Sequence, residues 1–460
     1  MIASRLIRTL ALAAAAAAAA TAAQAQNDAA LIAKAKAIHA KAIKIDTHVD
    51  FSPAQMTDPA PNYLTGIERN KVDLPKMEKN GLDAVFFSIY VGQRQDFTDA
   101  GYAAAKAADL EKFDAVHMFA EQIAPDRIAI AYTAADVRRI RKSGRKVALM
   151  GVENGYGIGT DITNVKLFYD RGARYLSMAH NGHNQLSDSN TGESDKVWKW
   201  NGLSPLGRQV VGEANRLGIM LDISHPSKAS NMQVMELSVA PVIASHSGVR
   251  ALCDHSRNLD DEQLLALKKN GGVAQMVAFA GYVKLPTPDS PERAAAIAAL
   301  RQQLGMGARG AAAGAGAGGG AGAPAGAVAG AVAGSGAAAG AAPRRAGGAP
   351  NDSVMKVYRE KLAAIDAKFP PAPRANVKDF VNHIDYAVKL IGIEHVGISS
   401  DFDGGGGIEG YDNATESFNV TLELVRRGYS EKDIIALWGG NVLRVMDDVE
   451  KMAKRLQNGS

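Results

Sequence analysis

The order of apolar and amphipathic segments in this 460-residue chain predicts a (β/α)8 TIM barrel. Eight short runs rich in Val, Ile, Leu or Met are hydrophobic on both faces, as expected of parallel strands covered by helices. Amphipathic stretches with helical spacing separate the runs, and several of these stretches end in glycine where the chain returns to a strand. An open doubly wound sheet is the alternative, although no G-x-G-x-x-G motif opens a helix after the first strand.

The eight predicted strands are four to ten residues long, which is an ordinary length for a strand. In chain order they are Ile43–Asp46, Leu82–Val91, Val147–Val152, Ala173–Ala179, Ile219–Ser224, Val242–Ser245, Gly272–Val277 and Val396–Ser400. The predicted helices are Ile67–Lys79, Ala103–Ile123, Asn164–Asp170, Pro205–Arg216, Lys228–Leu237, Asp260–Lys269 and Val377–Leu390, with Ser417–Arg427 and Glu431–Met446 as closing helices.

The first 25 residues have the three parts of a cleavable secretory signal. Basic residues precede an alanine-rich apolar run from Leu10 to Ala20, and the small-residue pattern A-Q-A ends at Ala25. No later segment has the roughly 18 consecutive apolar residues that a membrane-spanning helix needs. We therefore expect a secreted or periplasmic protein without an integral membrane segment after signal cleavage, in which residues 26–460 form a single domain.

Residues 305–350 form an alanine- and glycine-rich insertion with almost no large apolar side chain. This segment holds 16 of the 47 glycines without the every-third-residue period of collagen, so a collagen-like protein is excluded. A segment with so little to bury cannot offset the entropy lost on ordering, and we predict that it is disordered.

The formal charge of +4 comes from the signal and the insertion, which together contain five arginines and no acidic residue. The rest of the chain has 47 basic and 48 acidic residues and therefore lacks the electrostatic footprint of a nucleic-acid-binding protein. The single cysteine, Cys253, excludes an internal disulfide and a thiolate zinc cluster. What the protein does must therefore be sought in individual polar residues.

Residues that can bind metal or transfer protons lie at the ends of six of the eight predicted strands. Because the carboxyl ends of barrel strands form one face, these residues are expected to converge on one pocket. A lone histidine after a strand is usually a hydrogen-bonded loop residue, but six coincidences at the same strand end favour a functional site. The residues are His48, Asp50, Glu153, His180, His225, His246 and Asp401.

Spacing within this set predicts two metal ions. His48 and Asp50 are two residues apart, so in an extended chain they point the same way and can share one ion. His225 and His246 follow adjacent strands and can bind a second ion, while the two oxygens of Glu153 can bridge both. With nitrogen and oxygen ligands only, Zn²⁺ is the leading choice, and Mn²⁺, Co²⁺ or Fe²⁺ are alternatives. Such a pair would hold a bridging hydroxide, because metals lower the pKa of water, and this predicts hydrolysis.

Two further residues have more than one interpretation from position alone. Asp401 is either a metal ligand or a proton shuttle, and in either case it is the natural acid/base near the hydroxide. Tyr90 ends the second predicted strand and either lines the pocket or packs in the core.

Seven motifs resemble, in composition and order, those of the renal-type membrane dipeptidases, and they cover the chain from about Ile43 to Asn441. The motifs are D-T-H-V-D, G-V-E-N-G, A-H-N-G-H-N, L-D-I-S-H-P-S, P-V-I-A-S-H-S, D-H-S-R-N and G-I-S-S-D-F-D-G. The resemblance implies a (β/α)8 barrel with two zinc ions per subunit that hydrolyses dipeptides, and it suggests a homodimer. The first motif departs from the family's common D-G-H-N-D at Thr47 and Val49, but both ligands are kept.

The same resemblance implies the metal ligands. His48, Asp50 and Glu153 match the ligands of one zinc ion. Glu153 also matches the bridging carboxylate, counted here among the catalytic residues, and completes the second site with His225 and His246.

The resemblance implies substrate contacts as well. His180 matches the residue that polarises the scissile carbonyl, and Arg257 matches the guanidinium that binds the substrate's C-terminal carboxylate. Asp401 matches the carboxylate that faces the free amine and takes part in proton transfer.

Two other functions stay open beside an exported zinc dipeptidase. One is a related binuclear hydrolase that acts on lactams, lactones or other cyclic amides. The other is a non-catalytic envelope protein that binds metal or peptide and uses the insertion as a tether.

Overall fold

The structure, a computed structural model, describes residues 28–79, 81–92, 97–306 and 352–459. The predicted signal and the predicted insertion from residue 307 onward lie outside the described residues. Two compact units are present, one comprising the chain up to Lys284 together with Ala375–Ser460, and the other comprising Leu285–Arg374. The first unit contains the barrel and all of the predicted site residues.

The described part of the chain contains nine strands in one sheet, and all of the paired strands are parallel. They are β1 (Ile45–Val49), β2 (Ala84–Tyr90), β3 (Ile128–Ile130), β4 (Lys146–Glu153), β5 (Ala173–Ser177), β6 (Met220–Asp222), β7 (Ile243–Ser247), β8 (Val273–Val277) and β9 (Val396–Ser399). Eight of them follow one another in the order β1-β2-β4-β5-β6-β7-β8-β9, and β3 pairs with the start of β4.

The sheet closes between β9 and β1 at the carboxyl ends of these two strands. The amide of Asp50 donates to the carbonyl oxygen of Phe402 at 2.9 Å. The Ser399 hydroxyl and the Ser400 amide both donate to Asp46 Oδ1, each at 3.1 Å. The predicted (β/α)8 barrel is therefore confirmed, and the open doubly wound alternative is wrong.

Burial on both faces explains why the strand sequences are almost continuously apolar. Every residue of β1, β7 and β8 is buried, including the polar residues that they carry. In the pairing of β2 with β4, Ala84 lies opposite Val147 and Tyr90 lies opposite Glu153. This register places the last residue of β2 beside the central carboxylate of the predicted site.

Helices connect the strands, and none in the described part of the chain is both long and apolar enough to cross a membrane. They are α1 (28–41), α2 (Pro53–Thr57), α3 (Leu74–Glu78), α4 (Asp99–Met118), α5 (Ala134–Lys142), α6 (Thr163–Asp170), α7 (Gly192–Asp195), α8 (Pro205–Leu217), α9 (Lys228–Leu237), α10 (Asp261–Asn270), α11 (Ala280–Val283), α12 (Pro291–Gln303), α13 (Asp352–Lys368), α14 (Val377–Ile391), α15 (Ser417–Arg426), α16 (Glu431–Ile435) and α17 (Asn441–Gln457).

Local sequence signals set the ends of these helices, as α8 illustrates. The Ser204 side chain accepts a hydrogen bond from Gly207 N, and Pro205 occupies the first helical position, where a missing amide hydrogen is harmless. Gly218 ends the helix with φ 89°, a left-handed conformation that glycine adopts without strain. The chain then enters β6 directly, so the position of β6 follows from these signals.

Several elements differ from the sequence prediction, which does not include α1, α5, α12 or α13 and which joins α16 and the start of α17 into one helix. The helix predicted over Ile67–Lys79 is reduced to the five residues of α3, because Asp73 caps its first turn and Pro75 disfavours helix in the preceding residues. The strand β3 is not predicted, since three residues are too few to show a periodic pattern. It pairs with Lys146–Ala148 at the amino end of β4, away from the site.

The second unit contains α12 and α13. Leu300, Met306 and Tyr358 form its buried cluster. Within the same unit, Arg293 in α12 is 2.7 Å from Asp366 in α13. An apolar cluster and an ion pair thus join these two helices.

Candidate metal centre

The seven ionisable residues predicted from strand ends all lie at the carboxyl end of the barrel. Because the strands are parallel, residues far apart in the sequence meet there. His48 lies in β1 with Asp50 just after it, Glu153 ends β4, His180 and His225 follow β5 and β6, His246 lies in β7, and Asp401 follows β9.

Glu153 is the centre of this cluster. Its Oε1 lies 3.0 Å from His225 Nε2 and 3.6 Å from His246 Nε2, while its Oε2 lies 3.3 Å from His48 Nε2. The carboxylate is 3% exposed. One carboxylate therefore faces histidines from three different strands, which is the arrangement expected of a bridging ligand.

Two more carboxylates complete the His48 side of the cluster. His48 Nε2 lies 3.7 Å from Asp50 Oδ2 and 4.0 Å from Asp401 Oδ1. These three residues form one group whose candidate ligand atoms all lie within 4.8 Å of one another. Two further groups of this kind exist among the described residues. They are His48, Glu153 and His246, and Glu153, His180 and His225.

The partners of the histidine Nδ1 atoms leave the Nε2 atoms of His225 and His246 free for a cation. His225 Nδ1 lies 3.2 Å from the amide oxygen of Asn181, which can only accept, so this nitrogen carries the proton. His246 Nδ1 lies 2.8 Å from the Ser245 hydroxyl, whose hydrogen is donated to Asp222 Oδ2 at 2.6 Å. Ser245 therefore accepts from His246 Nδ1, and the Nε2 atoms of both histidines carry lone pairs.

This donor set fits metal ions. The Nε2 atoms of His225 and His246 lie 2.9 Å apart, and Glu153 Oε1 lies 3.0 Å from the first and 3.6 Å from the second. Without a proton to share, three acceptors at such distances repel one another unless a cation lies among them. Imidazole nitrogens and carboxylate oxygens suit Zn²⁺ and its first-row neighbours. His48 is fixed similarly, because its Nδ1 lies 2.9 Å from the Tyr175 hydroxyl.

The pKa shifts point to neutral imidazoles at His225 and His246 beside an ionised bridge, whereas Tyr175 and Glu153 outweigh burial and raise the pKa of His48 well above its ordinary value. Burial and the nearby Arg257 guanidinium hold the pKa of His225 and that of His246 well below the ordinary value. Burial alone would raise the pKa of Glu153, but the positive charge that His48 and His180 carry when protonated brings it well below the usual range. At neutral pH Glu153 is thus an anion and His225 and His246 are free bases, the forms that bind metal.

Asp401 differs from the other carboxyl groups of the site. Burial and the neighbouring carboxylates of Asp50 and Glu153 raise the pKa of Asp401 well above its ordinary value, although His48 opposes the shift. Its carboxyl group is therefore suited to hold and release a proton.

The backbone is strained where it presents two of these side chains. His225 has φ 79° and Asp401 has φ 57°, both in the left-handed region that non-glycine residues rarely adopt. Such strain persists only where the surroundings enforce it, and it is frequent at functional sites. After Asp401, Gly404 approaches the site so closely that a Cβ atom there would lie 2.1 Å from Asp50 Oδ2 and 2.3 Å from Asp401 Oδ1.

His180 and Tyr90 lie on one side of Glu153. His180 Nε2 lies 3.7 Å from Glu153 Oε1, and its ring centroid lies 4.6 Å from that of Tyr90. Burial lowers the pKa of His180 and raises the pKa of Tyr90 to about 12, so both side chains are neutral at neutral pH. Tyr90 lines the open cavity rather than the core, which decides between its two interpretations.

Arg257 lies beside His246. Its Nη2 donates to the His246 carbonyl oxygen at 3.1 Å, and its Cζ lies 5.4 Å from the centroid of the Tyr282 ring. The side chain is 3% exposed, and its Nε has no hydrogen-bond partner among the described residues. A buried guanidinium with an unused donor is equipped to bind a carboxylate.

An open cavity of about 680 Å³ leads from the cluster to the surface. Four of the predicted residues line it. They are Asp50, Tyr90, Glu153 and His180. The lining also includes Arg69, Lys112, Asp403 and Gly404, which the sequence analysis does not identify.

The residues missed by sequence analysis fall into two kinds. Asn181, Asp222 and Ser245 lie inside the quoted motifs, so the motifs contain a signal, but only the fold shows which ligand each one supports. Arg69 and Lys112 lie outside every motif, and nothing in their local sequence indicates that they line the cavity.

Comparisons with known proteins show similarity to dipeptidases. A family model described as membrane dipeptidase, peptidase family M19, matches residues 32–460. The dipeptidase aclJ of Aspergillus oryzae is 28% identical over 84% of this chain and 72% of its own length, and the dipeptidase verJ of Clonostachys rogersoniana is 28% identical over 93% and 89%. The crystal structure of the probable dipeptidase PvdM from Pseudomonas aeruginosa covers 92% of this chain and 99% of its own, with a TM-score of 0.69 and 28% identity.

Proposed function

The chain belongs to the membrane dipeptidase family, peptidase family M19, and from this premise we propose that it is an exported, zinc-dependent enzyme that hydrolyses dipeptides. The observation that carries the proposal is the placement of Glu153 between His48 on one side and His225 and His246 on the other, at 3.0 to 3.6 Å. A bound cation would satisfy these acceptors, to which the Ser88 hydroxyl also donates at 3.2 Å from Glu153 Oε2.

Two zinc ions are the proposed cofactor. His48, Asp50 and Glu153 would hold one, and Glu153, His225 and His246 the other. The absence of a cysteine among these ligands and the mixture of imidazole and carboxylate favour zinc over softer metals. When bound, the metal ions supply a water of lowered pKa and polarise the scissile carbonyl.

The residues around the centre orient the substrate. Arg257 binds the substrate's C-terminal carboxylate with its planar guanidinium, which is buried and has a donor to spare. His180 donates from Nε2 to the carbonyl oxygen as negative charge develops there. This role agrees with the position of His180 in the cavity wall, 3.7 Å from Glu153.

Asp401 moves the proton in the proposed mechanism. Its carboxylate takes a proton from the attacking water and delivers it to the leaving nitrogen, which departs as an amine. Its buried position beside Asp50 and Glu153 raises its pKa well above the ordinary value, which favours a group that both accepts and releases a proton. The same carboxylate attracts the substrate's free amino group. A substrate held by both of its ends has two residues, because a longer peptide would misplace one charge.

Export is proposed from the first 25 residues alone. Cell fractionation of the full-length chain should place the mature protein outside the cytoplasm, with Gln26 as its first residue by mass spectrometry. Accumulation of uncleaved protein in the cytoplasm would contradict this part of the proposal, without bearing on the hydrolytic activity.

Hydrolysis of a dipeptide panel tests the activity. The zinc-loaded protein should release free amino acids from L,L or L,D dipeptides, lose this activity with a chelator, and regain it with zinc. N-acetylated dipeptides, dipeptide amides and tripeptides serve as matched controls and should be cleaved far more slowly. A fully metal-loaded protein that cleaves none of the free dipeptides would refute the proposal.

A further inference from the structure

Two cations that the proposed mechanism does not use face the same cavity as the metal centre. Lys112 projects from the middle of α4, and Arg69 lies in the loop before α3. Both line the cavity together with Asp50, Glu153 and His180. The cavity lining therefore contains cationic side chains as well as candidate metal ligands.

Lys112 has hydrogen-bonding capacity to spare. Its Nζ donates to the backbone carbonyl of Ser88 at 3.1 Å and lies 4.7 Å from the centroid of the Phe51 ring and 6.0 Å from that of Tyr90. An ammonium group has three donors, and the Ser88 carbonyl is the one acceptor it has among the described residues. Aromatic faces partly offset the charge, but they leave its remaining hydrogens unbonded.

Arg69 adds a second unpaired cation. Its side chain is exposed, and it makes no hydrogen bond or ion pair among the described residues. A guanidinium with all of its donors available can bind a carboxylate in bidentate fashion.

The acidic residues of the cavity make no ion pair with these cations in the part of the chain that the structure describes. Asp50 and Glu153 belong to the metal centre. Asp403 is tied to the backbone, because its two oxygens accept from Lys71 N at 2.8 Å and from Val72 N at 3.1 Å. No ion pair within 4.0 Å joins Lys112 to any of them among the described residues.

The order of contacts across the site separates these cations from Arg257. A row of neighbouring residues joins Lys112 to Arg257 through four residues of the site, and the last link is the His246 backbone carbonyl, so Lys112 and Arg257 are not neighbours in this row. The row runs Lys112, Tyr90, His180, His225, His246, Arg257. If Arg257 holds the C-terminal carboxylate, the N-terminal residue of a dipeptide lies on the Lys112 side.

We propose that Lys112 and Arg69 form a subsite for an acidic side chain on the N-terminal residue of the substrate, so that the enzyme prefers dipeptides that begin with Glu or Asp. This inference rests on the proposed dipeptidase function. The side-chain carboxylate of the substrate would accept hydrogen bonds from the remaining hydrogens of Lys112 and would also contact Arg69, which is exposed.

The test compares kcat/KM for Glu-Ala and Gln-Ala, which differ only in the charge of the side chain. The zinc-loaded full-length protein should favour Glu-Ala by about tenfold or more, the size expected for a charge-assisted hydrogen bond. In Lys112→Met the ratio should fall to nearly one. In Arg69→Glu, which alters an exposed residue without partners, the ratio should fall several-fold. Lys106→Met on the same helix, outside the cavity lining, is the matched control and should keep the wild-type ratio.

The position of the acidic residue is tested with Ala-Glu and Ala-Gln, whose kcat/KM ratio should not respond to Lys112→Met or Arg69→Glu. A wild-type enzyme that cleaves Gln-Ala as efficiently as Glu-Ala overturns the proposed subsite. The subsite is also overturned if both variants retain the wild-type preference for Glu-Ala. It is overturned as well if Lys112→Met lowers kcat/KM equally for both substrates, because Lys112 would then support the metal centre. These outcomes all require active enzyme, whereas failure of the dipeptidase proposal itself shows as no cleavage of any dipeptide.

Discussion

His225 Nε2 and His246 Nε2 lie 2.9 Å apart at the carboxyl ends of neighbouring strands, and both face Glu153 Oε1. The Nδ1 atoms of both rings are occupied by acceptors, so no proton is available to join the two nitrogens. Both rings are buried, and solvent therefore does not screen their lone pairs. A cation bound between the two nitrogens and Glu153 Oε1 would relieve this repulsion.

The first prediction concerns the metal content of histidine variants. His225→Asn and His246→Asn should each reduce bound zinc from about two ions per chain to about one or fewer. Each substitution removes one of the few protein ligands of the second zinc site. Inductively coupled plasma mass spectrometry after gel filtration measures the content. His117→Asn, which alters a helix histidine 2.9 Å from Glu121, is the control and should keep the full complement. Full metal content in both site variants would contradict the assignment.

The second prediction concerns Ser245, which connects His246 to Asp222. Ser245→Ala leaves His246 Nδ1 and the Asp222 carboxyl without the hydroxyl that lies 2.8 Å from one and 2.6 Å from the other. We expect zinc affinity to fall roughly 10–100-fold. The free energy of unfolding should fall by about 1–3 kcal/mol, the cost of buried groups left without partners.

A competitive chelator titration and urea unfolding measure these two effects of Ser245→Ala. Ser143→Ala, an exposed serine after α5, is the control and should change neither. If the affinity for zinc is unchanged in Ser245→Ala, the link through Ser245 does not orient His246.

The sequence predicts the fold and the site residues together, because the same feature determines both. Parallel strands covered by helices are apolar on both faces, and their carboxyl ends meet, so a polar residue at a strand end is visible against the run before it. Glu153 and His246, each of which directly follows a predicted apolar run, are found in this way. The resemblance to the renal-type membrane dipeptidases is confirmed by the family match over residues 32–460.

The third prediction separates proton transfer from metal binding at Asp401. Asp401→Asn keeps the size of the side chain but removes its ability to accept a proton. We expect kcat to fall about 10²–10⁴-fold, the range for loss of a general acid/base. Zinc content, measured in parallel, should stay at the wild-type value. Loss of one zinc ion in this variant would instead show that Asp401 is a metal ligand. The distance of 4.0 Å between Asp401 Oδ1 and His48 Nε2 is compatible with that role.

The fourth prediction concerns Gly404, whose Cα–H faces the carboxylates of Asp50 and Asp401. Gly404→Ala would place a Cβ atom 2.1 Å from Asp50 Oδ2 and 2.3 Å from Asp401 Oδ1, so both carboxylates have to move. Because a shift of about 1 Å in a catalytic group can cost roughly 10²-fold in rate, we expect a loss of this size in kcat/KM. Gly212→Ala in α8, where a Cβ atom meets nothing within 4 Å, should leave kcat/KM unchanged. Equal activity of the two variants would contradict this account.

Features that depend on distant contacts were not predictable from the chain. Lys112 lies on a helix whose sequence pattern does not distinguish a cavity-lining lysine from a solvated one. It reaches the cavity only because α4 packs beside β2, where Ser88 accepts its hydrogen bond. Gly404 is the first of four consecutive glycines, and its tight contact with two carboxylates becomes visible only when β1 and β9 close the barrel. Sequence pattern thus shows which residues end each strand, but it does not show which partners support them.

The last prediction concerns Asp109, a carboxyl group buried in α4. Neither of its oxygens has a hydrogen-bond partner among the described residues, and burial raises its pKa well above the ordinary value of 3.8, although Lys112 opposes the shift. A raised folded-state pKa means that the folded protein tolerates the protonated form and is destabilised by the ionised one. The stability contribution of Asp109 is therefore fully present below pH 3.8 and is lost as the pH rises toward its folded-state pKa.

Asp109→Asn removes this titration. The free energy of unfolding of the variant, relative to the wild type, should therefore increase as the pH rises from 5 to 8, by at most about 1.4 kcal/mol per pH unit. Urea unfolding of both proteins in the same metal state at several pH values measures the difference. Asp114→Asn on the exposed face of the same helix is the control, and its difference from the wild type should not change with pH in this range. Parallel curves for Asp109→Asn and the wild type would show that the buried carboxyl stays ionised in the folded protein, held by a partner that supplies the missing hydrogen bonds.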